Sequence, residues 1–152
     1  MIPDVDAALS DVLGHARWRP GQAEAARAFA GGRDVQLLLA TGAGKSACFQ
    51  APAIARARAG LGPTLVVSPL IALMRDQVDG LRRRGVAAVA FHTGLPTAEL
   101  AQARRAAPNA ALIYASPERL AGASFRRWLR GLGLSDGCRT RRRGKRCRCR
   151  PV

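Results

Sequence analysis

Aromatic side chains, acidic residues and long apolar runs are all scarce in this sequence of 152 residues. Phe, Trp and Tyr make up 5% of it, yet 48% is hydrophobic, which is enough for one globular domain with a real core. No stretch is apolar over the length of a membrane span, and acids stand near the N-terminus where a secretory signal would carry lysines. A cytoplasmic location is expected. The 10 acids face 25 Lys and Arg, a formal net charge of +15. Eight of these basic residues fall in 137–152, which holds no acid, so the body is only moderately basic, with 17 against 10. Such a body suits phosphate-rich partners. Ala/Arg/Gly-rich proteins are often arginine-rich by composition, however, so charge alone supports nucleic-acid binding only weakly. Cysteine is sparse as well. Cys48, Cys138, Cys147 and Cys149 make no disulfide framework, the spacing C-x8-C-x-C matches no zinc signature, and Cys48 reads as a packing residue. No zinc is expected.

What the sequence does have is concentrated in residues 35–46, VQLLLATGAGKS. Val35, Leu37, Leu38 and Leu39 read as a short buried strand that passes directly into a glycine-punctuated turn closed by Lys45 and Ser46. Gly42 and Gly44 allow a turn tight enough for several backbone N–H groups to face one anion, and a helix starting near Lys45 adds the positive end of its dipole. Lys45 is then suited to the β- and γ-phosphates of a nucleotide, and Ser46 to the Mg²⁺ that arrives with it. The strict pattern G-x-x-x-x-G-K-[ST] would need glycine at position 39, where Leu39 stands. The plain alternative, a glycine turn with a solvated lysine, lacks this context of strand before and helix after.

Around this centre, helices are predicted over 4–13 (apolar Val5, Ala8, Leu9, Val12 and Leu13), 20–29 and 45–58, with Pro52 kinking or shortening the last. Residues 64–68 form a second strand. A helix opened by Pro69 and closed by Gly85 follows, with Leu70, Leu73, Met74, Val78 and Leu81 on one face. Residues 86–91 and 110–116 are further strands, separated by a helix over 96–106. The alternation predicts an α/β fold, a parallel sheet covered on both faces with ligands at the carboxyl ends of its strands. Ser68, Thr93 and Ser116 fall at those ends, where hydroxyls and loop amides suit a phosphodiester backbone, although Ser-Pro and Thr-Gly are also common turn formers. Near the start, the Gln22 amide has the donor and acceptor that reading an adenine edge requires, and Arg19 is suited to stack on or bond the same base. A surface glutamine and arginine at a helix start explain that stretch equally well.

WRPGQ, GRDVQLLLATGAGKSACFQAPA, TLVVSPLIALMRDQVDGL and YASPERL, in this order and spacing, resemble the N-terminal half of the first RecA-like domain of a RecQ-family DNA helicase, over residues 9–129. Members of that family do not usually carry glycine at the position of Leu39. The resemblance implies a P-loop RecA-like three-layer parallel sheet, ATP with Mg²⁺, DNA as partner, and a part in DNA repair and recombination. By the same resemblance Arg19 and Gln22 belong to the adenine-recognising motif, with His15 as a further adenine contact. Thr41, Gly42, Ala43, Gly44, Lys45 and Ser46 form the phosphate loop. The resemblance places Ser68, Pro69 and Leu70, and Ser116, Pro117 and Arg119, along the DNA path, and Thr93 with Gly94, at the end of a neighbouring strand, are read with them as nucleic-acid contacts.

The family continues after SPERL to a strand ending in Asp-Glu-Ala-His, where the Asp holds Mg²⁺ through water and the Glu orients the attacking water. These 152 residues hold neither that motif nor a second RecA-like domain. They divide into an N-terminal helical part (1–34), an incomplete RecA-like part (35–134) and an Arg-rich tail (135–152) expected to be disordered. The tail has two readings: a cationic arm that grips nucleic acid, or sequence shifted out of its parent frame. The expected function is therefore an ATP- and DNA-binding fragment of a RecQ-like helicase with no unwinding of its own. The alternatives are a non-catalytic basic nucleic-acid-binding module or a truncated remnant whose unpaired sheet edge invites aggregation.

Overall fold

A computed structural model describes residues 4–40, 42–134, 136–140 and 147–150, the last two stretches as backbone. The chain begins with α1, whose α-helical turn Val5–Ala7 widens into a π-helical stretch Ala8–Val12. Asp4 caps it, its carboxylate accepting from the N–H groups of Asp6 and Ala7 at 3.1 and 2.9 Å. Helix α2 covers Gln22–Ala30. It starts later than predicted because Gly21, at φ 78°, takes the left-handed conformation and cannot continue back toward Pro20.

Asp6 ties these two helices together. Its carboxylate accepts from Trp18 Nε1 at 2.6 Å and pairs with Arg27 Nη2 at 2.9 Å. The hydrogen bond from Arg27, and then that from Trp18, hold its carboxyl below the ordinary value of 3.8. A depressed carboxyl stabilises the fold fully above 3.8, and the gain is lost as pH falls through the lower folded value. Both partners are more than half exposed, so the pair contributes at most about 1 kcal/mol. Asp6→Asn should lower the melting midpoint by about 2–4 °C near neutral pH. The difference from wild type should close in acid, and a constant difference across that titration would show that Asp6 acts in some other way.

Strand β1 (Val35–Leu37) leads through the glycine turn to α3 (Ala47–Arg58), followed by β2 (Thr64–Val67), α4 (Ile71–Arg83), β3 (Ala88–Phe91), α5 (Thr97–Ala106), β4 (Leu112–Ala115), α6 (Pro117–Ala121) and α7 (Ala123–Arg130). β2 pairs in parallel with β4, and β4 with β3, placing Thr64 and Ala88 both beside Leu112. Because side chains alternate along a strand, the two faces of this sheet build separate cores. Val66, Leu112 and Tyr114 pack with residues of α1 to α4, whereas Leu65, Ile113 and Ala115 pack with α5 and α7. The result is the expected three-layer α/β arrangement. On the second face, Phe91, Phe125 and Trp128 form an aromatic cluster with ring centroids 5.2 to 5.4 Å apart.

Several expectations are corrected by the packing. β1 is shorter than predicted and is not buried: Leu38 is 56% exposed, because the chain leaves the sheet at Leu37 to begin the phosphate turn. Pro52 does not end α3, which runs on to Arg58 with the proline ring fully buried. Leu70 and Leu73 do not join the buried face of α4. Leu70 is extended and precedes the helix, while Met74, Val78 and Leu81 supply the core contact, so both leucines remain exposed. Two further strands lie beyond α7, β5 (Asp136–Thr140) and β6 (Cys147–Arg150). They fill the space between β1 and β2, giving the order β1-β6-β5-β2-β4-β3. β5 lies parallel to β2, and β6 is antiparallel to both β5 and β1. The physical reason is that β1 and β2 each offer an unpaired ladder facing the gap, and two strands satisfy both.

Candidate nucleotide-binding site and nucleic-acid face

The turn after β1 adopts the conformation that its glycines were expected to allow, with φ at 80° for Gly42 and 75° for Gly44. Ala43 N–H bonds Ala40 O at 3.2 Å, and Ala47 N–H bonds Gly44 O at 3.2 Å, carrying the loop into the first turn of α3. Thr41 lies outside the described residues. The Lys45 ammonium folds back over the loop and donates to Leu39 O at 2.8 Å and Ala40 O at 2.7 Å. These bonds hold the cation against the anion-sized turn, where phosphate oxygens would replace the two carbonyls as acceptors. Ser46 is half-buried, and its Oγ accepts a hydrogen bond from Gln77 Nε2 at 3.1 Å. The residues fit a Mg-nucleotide: Gly42 and Gly44 hold positive φ that disfavours a side chain, a Cβ at Gly44 would press on Gln22 Nε2 at 3.0 Å, and Ser46 supplies a hydroxyl of the type Mg²⁺ takes.

Arg19 and Gln22 are brought to the same loop. Arg19 Nη1 donates to Gly42 O at 3.3 Å, and Gln22 Nε2 donates to Ala43 O at 2.6 Å and Gly44 O at 3.2 Å. Gln22 Oε1 accepts from Arg19 N–H at 2.9 Å. Gln22 is 4% exposed, so in this state its Nε2 fastens the loop and its Oε1 holds the Arg19 backbone, and neither end faces a base. His15 is exposed. Beside Arg19 opens a cavity of about 640 Å³ lined by Trp18, Pro20, Gly21, Glu24, Arg27 and Arg33 among others, and by no described residue of the phosphate loop. Among the described residues no group of three or more His, Cys, Asp or Glu is placed to hold a metal, and Cys48 is buried.

The loops following β2, β3 and β4 lie side by side. Ser68 N–H bonds Ala115 O at 3.1 Å, and Ser116 N–H bonds Phe91 O at 2.9 Å. Both serine side chains are enclosed, at 2% and 1% exposure. Ser68 Oγ accepts from Leu70 N–H and Ser116 Oγ from Arg119 N–H, each at 3.3 Å, so the two hydroxyls shape a turn and cap α6. The solvent-facing residues of these loops are Pro69, Leu70, Thr93, Gly94, Pro117 and Glu118. The Arg119 guanidinium lies 5.7 Å from the Phe125 ring centroid, and its buried Nε has no partner. Sequence reasoning missed Gln77. It lies 31 residues from Ser46, and no local pattern links the two.

A lysine-and-serine glycine turn at the head of a helix, on a three-layer sheet whose β5, β2, β4 and β3 run parallel, defines a P-loop α/β domain of the RecA-like class. The sequence matches the DEAD/DEAH box helicase family over residues 19–135, and the chain belongs to that family. It is 38% identical over 125 residues to the ATP-dependent DNA helicase RecQ of Haemophilus influenzae, covering 81% of this chain and 20% of that protein. It is 43% identical over 114 residues to the human ATP-dependent DNA helicase Q4, covering 73% of this chain and 9% of that one. Among solved structures, the DUF1998 helicase MrfA aligns with a TM-score of 0.60 at 22% identity, over 78% of this chain and 19% of that chain, a likeness of fold. The chain thus spans about a fifth of the length of the bacterial RecQ proteins it matches. Among the described residues no helix is long and apolar enough to cross a membrane.

Proposed function

We propose that this chain binds Mg-ATP in the turn 39–46 and DNA along the loops that follow β2, β3 and β4, as the nucleotide-binding part of a RecQ-like DNA helicase. The observation that carries the reading is the Lys45 ammonium held on the carbonyls of Leu39 and Ala40, beside a turn whose Gly42 and Gly44 both take positive φ. Lys45 exchanges those carbonyls for β- and γ-phosphate oxygens, the loop N–H groups and the α3 N-terminus hold the remaining phosphate charge, and Ser46 Oγ is the ligand for Mg²⁺. When bound, Mg²⁺ neutralises phosphate charge in transfer to water. Arg19 and Gln22 set the shape of the loop and turn to the base once nucleotide enters. On the nucleic-acid side, the Thr93 hydroxyl and the Arg119 guanidinium, with the loop surface at Pro69, Leu70, Gly94 and Pro117, take the phosphodiester backbone.

Positioning and electrostatics supply almost all phosphoryl-transfer catalysis. These 152 residues contain no Asp-Glu-Ala-His, so the chain on its own should bind ATP far better than it cleaves it and should not separate strands. A cytoplasmic location and a part in DNA repair and recombination go with this reading. The test is a melting curve with and without Mg-ATP. A ligand that binds only the folded form at 100 times its Kd stabilises by about 2.7 kcal/mol and must raise the midpoint. An unchanged midpoint at saturating Mg-ATP would leave a basic nucleic-acid-binding module as the better account.

A further inference from the structure

Helix α4 connects the two sides of the proposed site, and one side chain makes the connection. The loop at its N-terminus, residues 68–70, lies on the proposed nucleic-acid face, while Gln77 sits six residues beyond the first residue of the helix and bonds Ser46 Oγ at 3.1 Å. At 1.5 Å per residue these points are about 9 Å apart on one helical rod. The rod is seated firmly, with Met74, Val78 and Leu81 buried in the core and Arg82 Nε donating to Ala88 O at 3.0 Å. A shift of α4 at its N-terminus must therefore be carried to Gln77 and to the Ser46 hydroxyl.

The chemistry of the pair gives this contact two states. A serine hydroxyl has two lone pairs and one proton, and a glutamine amide has a donor end and an acceptor end. Without a cation, Gln77 Nε2 donates to Ser46 Oγ. A divalent cation takes a lone pair from Oγ and strengthens the hydroxyl as a donor, so the amide is better placed with Oε1 accepting the Ser46 proton. We propose that Gln77 is a positioning residue that holds Ser46 Oγ for the nucleotide-bound Mg²⁺ and, through α4, couples occupancy of the phosphate loop to the nucleic-acid face at residues 68–70. This rests on the nucleotide reading above.

The experiment compares wild type with Gln77→Met, which keeps the bulk but loses the amide, and Gln77→Glu, which keeps an acceptor. Binding of a fluorescent ATP analogue is measured in Mg²⁺ and in EDTA, and binding of single-stranded oligothymidylate is measured with and without Mg-nucleotide. Gln77→Met should weaken analogue binding about three- to tenfold in Mg²⁺, the net worth of one hydrogen bond, leave binding in EDTA unchanged, and lower the ligand-free melting midpoint by no more than about 2–4 °C. Gln77→Glu should retain the Mg²⁺-dependent part. In wild type, Mg-nucleotide should change oligothymidylate affinity, and in Gln77→Met that change should vanish while the nucleotide-free DNA affinity stays the same. Equal losses in Mg²⁺ and EDTA, no loss at all, or an undiminished change in DNA affinity would each overturn the proposal and leave the nucleotide reading intact. Failure of wild type to bind the analogue in either condition would overturn both.

Discussion

Replacing Gly44 by Ala should all but abolish nucleotide binding and should also destabilise the fold, and doing the same at Gly42 should have the smaller effect. Gly44 has φ at 75° and Gly42 at 80°, so an L side chain is strained at either position. That strain costs about 1–2 kcal/mol per residue. The two glycines differ in what a methyl group would meet. At Gly42 it would find nothing within 4 Å, whereas at Gly44 it would stand 3.0 Å from Gln22 Nε2. Gln22 must then shift by a few tenths of an ångström, which weakens its bonds to Ala43 O and Gly44 O, each with a net worth of about 0.5–1.5 kcal/mol. The cost of Gly44→Ala is about 1–2 kcal/mol of strain plus up to about 3 kcal/mol for the two bonds, and the loop amides that would face the phosphates lose their aim. Differential melting and titration with Mg-ATP check the order. If Gly42→Ala proves as damaging as Gly44→Ala, the Gln22 fastening does not hold the loop.

Lys45→Ala should lower Mg-nucleotide affinity on the order of ten- to a hundredfold, the scale of a lost hydrogen bond to a charged group, and leave binding to single-stranded DNA unchanged. The ammonium exchanges two carbonyl bonds for phosphate bonds, so the loss is smaller than the gross strength of a buried ion pair. The folded state should tolerate the change. Leu39 is half-buried and Ala40 exposed, so water can serve the released carbonyls. Titration of the variant with Mg-ATP and with a DNA oligonucleotide separates the outcomes. Undiminished nucleotide affinity would remove Lys45 from the site, and loss of both ligands together would mean that the two surfaces are not distinct.

These expectations draw unequally on what could be read in the chain. The alternation of strands and helices, the glycine turn and its closing Lys45 and Ser46 were legible because each depends on residues adjacent in sequence. A positive φ requires glycine wherever the turn stands, and apolar periodicity marks a core face before its partner is known. Leu70 and Leu73 show where periodicity fails: they keep helical spacing with Met74, yet the core contact of α4 is centred on Met74, Val78 and Leu81.

Residue type and spacing were thus enough for the P-loop, the parallel α/β order and the helicase resemblance, since local backbone geometry and one-sided burial are encoded locally. They were not enough for the partners of polar side chains. Gln22 closes on the loop with the Nε2 end of its amide and on Arg19 with the other, Ser68 and Ser116 turn inward as caps, and Gln77 meets Ser46 across 31 residues of chain. Likewise, strands 136–140 and 147–150 lie between β1 and β2 because packing left two ladders there to be paired. A hydrogen-bonding group takes whichever partner folding carries within about 3 Å, and that depends on which elements become neighbours.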